Sequence, residues 1–144
     1  MQRTAQAVWQ GTGKEGSGTL TTPSGVLNRQ PYSFKLRFVD ESGTAGTNPE
    51  ELIAAAHAGC FTMALSFQIS GAGLVPEELR TNAVLTMEQQ PGGWTITAIV
   101  LKLEGKVPGI DAAKFAELAN TAKANCPVSR ALSVPITLEA TLLA

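Results

Sequence analysis

The sequence predicts an α+β fold, with strands in mostly antiparallel sheets packed against a long central helix. Three observations lead there. Residues 31–39, PYSFKLRFV, alternate between apolar and polar side chains with the period of two of a half-buried strand. Residues 50–70 contain no proline and are mostly apolar or small, as in a buried helix. The turn-rich stretches GKEGSG, DESGTAGT, QQPGG and ANCP divide the chain into the order βββ–α–ββ–α–β.

Gln6–Gly11 and Thr19–Thr22 read as short strands, with residues 11–18 as their turn. In Pro31–Val39, Tyr32, Phe34, Leu36 and Phe38 face one way and Ser33, Lys35 and Arg37 the other. Asp40–Thr47 is a loop. Asn48 then suits an N-cap, Pro49 the first helical position, and Glu51 completes an Asn-x-x-Glu capping box. The helix extends to about Ser70, a length of about 30 Å. Leu52, Ile53, Ala56, Cys60, Met63, Ala64 and Phe67 give it a broad apolar face, and small residues cover much of the rest. A helix apolar nearly all round is buried nearly all round. One small domain cannot easily surround such a rod, so a second subunit is expected to help.

Two glycines in Ser70–Pro76 end this helix. Arg80–Glu88 and Trp94–Val107 read as long strands joined at QQPGG. A second helix is expected over Ala112–Ala124 with Asp111 as its cap. A short helical turn follows ANCPVS, and Pro135–Leu143 is the last strand. No repeat or long linker divides the chain, so residues 1–144 are expected to form a single domain.

Hydrophobic content of 44%, charged content of 16% and a net charge of −1 suit a soluble globule. They argue against a nucleic-acid-binding or anionic-membrane-binding surface. The N-terminus MQRTAQAVWQ lacks the apolar stretch of a signal peptide. No uninterrupted apolar run approaches the roughly 18 residues that span a bilayer. A cytoplasmic location is expected, where cysteines stay reduced and a pair is reactive or metal-binding rather than a structural staple.

The two cysteines and single histidine are therefore the first candidates for chemistry. Cys60 lies mid-helix, where a cysteine often acts as a small hydrophobe. His57 precedes it by three residues on the same face, and is open to readings as a packed core residue or a base. Cys126, in NCPV, falls at the start of a helical turn, where backbone N–H groups favour a thiolate. Arg37 is either a solvated strand residue or a cation for a thiolate. A free cysteine is only about 3% thiolate at pH 7. One guanidinium about 4 Å away is worth roughly 4 kcal/mol at an effective dielectric near 20. That exceeds the roughly 3.4 kcal/mol needed to lower a thiol pKa by about 2.5 units.

Four stretches, SGVLNRQPYSFKLRF (24–38), GTNPEELIAAAHAGCFTMAL (46–65), VPGIDAAKF (107–115) and AKANCPVSRAL (122–132), resemble the OsmC/Ohr family of thiol-dependent peroxidases over nearly the whole chain. The arginine placed after a VLN segment resembles the OsmC branch rather than the organic-hydroperoxide-resistance branch. The resemblance implies an intertwined homodimer, with sheets wrapped around long central helices and active sites at the interface. It implies that Cys60 is peroxidatic, Cys126 resolving, Arg37 the stabiliser of thiolate and peroxide, and Glu50 the carboxylate that orients Arg37. It further implies reduction of organic hydroperoxides, and less efficiently hydrogen peroxide, through a Cys60 sulfenic acid and a Cys60–Cys126 disulfide. The resemblance points to an external dithiol of lipoyl type as the reductant of that disulfide. The setting would be defence against oxidative or osmotic stress.

No residue calls for a metal, haem or flavin cofactor. Glu50 and Cys60 are ten residues apart, or about 15 Å along a straight helix. Arg37 cannot touch both across that distance, so the pair it forms with Glu50 is expected to serve the Cys60 of the other subunit. The alternatives are a zinc site of His57, Cys60, Cys126 and Glu50, although paired C-x-x-C spacing is lacking; a Cys60–His57 hydrolase; and a non-enzymatic scaffold for a small apolar ligand.

Overall fold

The computed structural model describes residues 1–144, the whole chain. Its contacts gather into two compact units, Met1–Leu52 and Ile53–Ala144.

In the first unit β1 (Gln6–Gln10), β2 (Ser17–Thr21) and β3 (Gln30–Ser33) form an antiparallel sheet in that order. Gly18 of β2 pairs with Trp9 on one side and Tyr32 on the other. A Cβ at Gly18 would lie 2.6 Å from the Tyr32 ring and 2.8 Å from the Trp9 ring. Only glycine lets the two rings meet over this point, with centroids 5.2 Å apart.

The strand expected over Pro31–Val39 is realised only to Ser33. Lys35–Val39 instead forms one π-helical turn, in which the Asp40 N–H donates to the Lys35 carbonyl at 2.9 Å. The two periods share a position: Phe34 and Phe38 are four residues apart, on one face of a strand and also neighbours on a helix. Their rings sit 4.9 Å apart. The Ser33 hydroxyl accepts the Leu36 N–H at 3.2 Å and starts the turn.

The long helix α1 runs from Pro49 to Gly71. The Asn48 side chain accepts the Glu51 N–H at 2.8 Å, as a cap should. At the far end Leu74 N–H reaches Ile69 O and Gly73 N–H reaches Ser70 O, a Schellman closure with Gly73 at φ +79.

The second unit carries a sheet of order β4-β5-β6. β4 (Glu78–Gln90) and β5 (Gly93–Lys106) form a long hairpin closed by Pro91 and Gly92. Helices α2 (Ala112–Asn125) and α3 (Pro127–Ala131) then return the chain to β6 (Ile136–Leu142), which lies parallel to β5. The crossover through a helix makes this pairing parallel, while the other three are antiparallel. Asp111 caps α2 by accepting the Lys114 N–H at 2.8 Å.

The core is legible in three periods. On β5, Ile99, Leu101 and Leu103 are buried at every second position. On α2, Phe115, Leu118, Ala119 and Ala122 follow helical spacing, and Cys126 continues the stripe. On α1, His57, Phe61, Leu65 and Ile69 are buried at every fourth position. The expected burial of α1 nearly all round does not occur within one chain. Ala55, Gly59, Met63 and Phe67 form an exposed apolar stripe, with Met63 64% and Phe67 71% exposed.

By length and composition alone, α1 is apolar enough to cross a membrane, contrary to the expectation that no segment is. Beyond Glu50 and Glu51 in its first turn, its polar residues, His57, Thr62, Ser66, Gln68 and Ser70, are scattered and uncharged, so they interrupt an apolar run without making the helix polar. The fully buried Phe61, Leu65 and Ile69 belong to the core of the second unit and identify α1 as a core helix.

Candidate active site

Two clusters carry the residues singled out by the sequence. The first lies within residues 1–52. The π-helical turn presents Arg37, and the first turn of α1 presents Glu50. Arg37 Nε donates to Glu50 Oε1 and Oε2 at 3.1 Å each, and the terminal nitrogen NH2 reaches Oε1 at 2.5 Å. This fork-to-carboxylate geometry fixes the plane of the guanidinium. The guanidinium carbon also sits 4.9 Å from the centre of the Phe38 ring. A pocket of about 240 Å³ beside it is lined by Trp9, Tyr32, Phe34, Phe38 and Arg37.

The second cluster lies within residues 53–144. Cys60 projects from α1 and is half-buried; Cys126 is fully buried at the junction of α2 and α3. Both are free thiols, near enough for each to shift the other's pKa. Pro127 follows Cys126 at the first helical position, where its missing N–H costs nothing. The N–H groups of Ser129 and Val128 favour the Cys126 thiolate without closing a full cap bond, and the Ser129 hydroxyl acts in the same direction.

The two thiols differ in acidity. Burial pushes the Cys60 thiol up, Cys126 pushes it further, and the Val128 N–H only partly offsets them. For Cys126 burial also acts upward. The effects of Cys60, Ser129 and Val128 outweigh it, and Cys126 lies below the ordinary thiol value. Within one chain Cys126 is therefore the stronger acid of the two, and no arginine or lysine is among the groups that shift Cys60.

His57 is fully buried, and burial lowers its pKa, so the ring is neutral at pH 7. Its Nε2 lies 2.7 Å from the Ser129 hydroxyl, and its Nδ1 has no partner. Its partner is thus Ser129 rather than Cys60, unlike the nucleophile–base pair of the hydrolase alternative. No three His, Cys, Asp or Glu side chains gather as a metal site would require.

The sequence reasoning brought out Cys60, Cys126, Arg37 and Glu50, and the fold brings them together as two pairs. Ser129 was missed. Its signal was available in NCPVS, where the third residue after a helix-capping cysteine turns back toward the cap.

Two free thiols that shift one another's pKa, one half-buried on a core helix and one buried at a helix start, are an arrangement suited to two-cysteine redox chemistry. The chain matches the family of OsmC-like proteins over residues 40–140. It is 50% identical over 139 residues to peroxiredoxin OsmC of Escherichia coli (strain K12), covering 96% of this chain and 95% of the relative. It is 31% identical over 116 residues to organic hydroperoxide resistance protein OhrB of Bacillus subtilis, covering 80% and 81% of the two chains. The crystal structure of OhrB of Bacillus subtilis matches at a TM-score of 0.70 and 27% identity, over 96% of this chain and 98% of that one. An OsmC-like protein of unknown function from Vibrio cholerae shares the fold at a TM-score of 0.78 and 17% identity, over 98% and 99%. The chain belongs to the OsmC family.

Proposed function

We propose that this chain is a thiol-dependent peroxidase that reduces organic hydroperoxides to alcohols as part of a stress response. The observation that carries this reading is the pair of free thiols, half-buried Cys60 on α1 and buried Cys126 at the start of α3, each shifting the other's pKa. The names of the relatives, a peroxiredoxin and an organic hydroperoxide resistance protein, agree with it.

In the reaction Cys60 acts as the peroxidatic residue. Its thiolate attacks the distal peroxide oxygen, the O–O bond breaks, and the alkoxide leaves and takes up a proton as alcohol. Cys60 is now a sulfenic acid. Cys126 resolves it: its sulfur attacks Cys60, the S–O bond breaks, hydroxide leaves and is protonated to water, and a Cys60–Cys126 disulfide remains. An external dithiol returns both sulfurs to thiols.

Attack requires Cys60 to lose its proton, which burial makes harder within one chain. A guanidinium about 4 Å away, worth roughly 4 kcal/mol at an effective dielectric near 20, would favour the thiolate. Arg37 is the residue for this role, oriented by Glu50. Glu50 and Cys60 are ten residues apart on an unbroken helix, or about 15 Å along its axis. We therefore assign the Arg37–Glu50 pair of one subunit to the Cys60 of the other, in a homodimer that covers the exposed stripe Ala55, Gly59, Met63 and Phe67. The aromatic pocket beside Arg37 suits the apolar part of an alkyl hydroperoxide better than hydrogen peroxide.

The test is peroxide consumption with a dithiol reductant. Cys60→Ser is expected to fall to the uncatalysed background. Cys126→Ser is expected to allow one turnover and then stall. Sustained turnover by Cys126→Ser would remove the resolving role, and full activity of Cys60→Ser would overturn the reading. Subunit exchange between Arg37→Ala and Cys60→Ser homodimers tests the shared site. Mixed dimers should recover part of the activity, and none recovered would contradict a site built by two subunits.

A further inference from the structure

The proposed mechanism leaves the buried His57 and its partner Ser129 without a task, yet their contact lies about one helical turn from each thiol. His57 Nε2 meets Ser129 Oγ at 2.7 Å. Along α1 His57 precedes Cys60 by three residues, and at the start of α3 Cys126 precedes Ser129 by three. We propose that His57 is a positioning residue for the disulfide step: by holding Ser129 it clamps α3 to α1 and keeps Cys126 beside Cys60. The inference rests on the reading of Cys126 as the resolving thiol.

The choice of residue at this position carries the argument. His57 sits in the buried stripe of α1 with Phe61, Leu65 and Ile69. An apolar side chain there would pack the helix into the core at no polar cost. The imidazole is fully buried, and its Nδ1 has no partner. Burying a polar ring with one nitrogen unpaired is unfavourable. What the histidine offers over a fourth apolar residue is the bond from Nε2 to Ser129. The order of residues also fits a clamp. Segments running in opposite senses that touch at 57 and 129 bring 60 and 126 opposite each other, each one turn further on. Cys60 packs against the core cluster that contains Cys126.

The clamp acts on the looser of the two elements. α1 is anchored on other sides: Phe61, Leu65 and Ile69 are fully buried, and Thr62 Oγ1 lies 2.7 Å from Thr81 Oγ1 of β4. α3 has five residues and none of them is buried. A helix that short is not stable by itself. Cys126 is the joint between α2 and α3, with a ψ of 123 that belongs to neither helix. Its N–H is held by the Ala122 carbonyl at 2.8 Å, and its carbonyl by the Arg130 N–H at 3.0 Å. The direction of its side chain therefore follows where α3 lies. In resolution the Cys126 sulfur attacks the Cys60 sulfenic acid, S–S forms, S–O breaks, and hydroxide leaves and is protonated to water. The rate follows the fraction of time that Cys126 spends within reach of Cys60, which the clamp raises.

The test is the equilibrium between the Cys60–Cys126 disulfide and a glutathione buffer, which needs no peroxide. His57→Phe keeps a ring and removes its hydrogen bond. It should lower the equilibrium constant for disulfide formation about 5-fold, the size of one neutral hydrogen bond, so that the reduction potential rises by about 20 mV. His57→Gln, which can still bond Ser129, should recover most of the shift. Ser129→Ala should act like His57→Phe, and the double variant should be no worse than either, because both break one contact. A potential unmoved in His57→Phe, or raised there and not recovered by Gln, would overturn the clamp. If His57→Phe does not fold, Ser129→Ala and Ser129→Thr decide. A potential raised by Ala and restored by Thr supports the clamp, and one unmoved by Ala rejects it. In the peroxide reaction the ratio of disulfide formation to sulfenic acid formation should fall about 5-fold in His57→Phe, which a general loss of stability would not produce. An unchanged ratio would count against the clamp. A shifted potential in a chain that consumes no hydroperoxide would sink the peroxidase reading and support the clamp. A chain that forms no Cys60–Cys126 disulfide at any glutathione ratio would sink both.

Discussion

The Arg37 and Cys60 clusters solve opposite problems. Around Arg37 a guanidinium and a carboxylate sit near aromatic rings, with charge in plenty and no nucleophile. Around Cys60 two thiols sit among Phe61, Leu65, Leu101 and Ala122, with nucleophiles in plenty and no cation among the groups that set the Cys60 proton. A dry core positions sulfur well, because close packing fixes rotamers. It ionises sulfur poorly, because burial penalises the charged form. Separating charge from core lets each be built on its own terms.

That contrast can be tested by damaging each side in turn. The largest effect on stability should come from the core side. Phe61→Ala removes a fully buried ring and should lower unfolding stability by about 3–5 kcal/mol in denaturant titrations. Next comes the charged side. Arg37→Ala should leave stability nearly unchanged and slow peroxide consumption roughly 30-fold at pH 7, the loss of thiolate expected if the Cys60 pKa returns to an ordinary value. Raising the pH toward 9 should recover much of that loss. A pH-independent deficit would mean that Arg37 does not act through the thiolate.

A third test concerns His57. Its folded pKa is depressed below 6.5, so the unfolded chain binds the extra proton first. Its contribution to stability is full above about 6.5 and is lost as pH falls toward the folded value. The slope should approach about 1.4 kcal/mol per pH unit. His57→Phe should flatten this part of the stability profile between pH 7 and 5, and an unchanged slope would show that other groups cause it. The smallest effect belongs to a cap: Asp111→Ala should cost about 1 kcal/mol in the same titration and leave peroxide turnover unaffected.

The element order, the capping of α1 and α2 and the alternation on β5 could be read from residue patterns, because each depends on neighbours close in sequence. The π-helical turn could not. Phe34 and Phe38 satisfy a strand and a helix equally, and the Ser33–Leu36 hydrogen bond breaks the tie. The exposure of Met63 and Phe67 was equally hidden, since hydropathy says which residues avoid water but not which chain covers them. In the site, Arg37, Glu50, Cys60 and Cys126 stood out by residue type and by resemblance to a family. Ser129 did not, because a serine acquires its meaning from what it touches, and its partner His57 lies 72 residues away in sequence.

The central claim is that Cys60 and Cys126 act as one redox pair within a chain. Counting free thiols before and after one equivalent of cumene hydroperoxide tests it most directly. The expected result is loss of both thiols per chain and a single intrachain Cys60–Cys126 disulfide; two intact thiols after exposure to the hydroperoxide would contradict the claim.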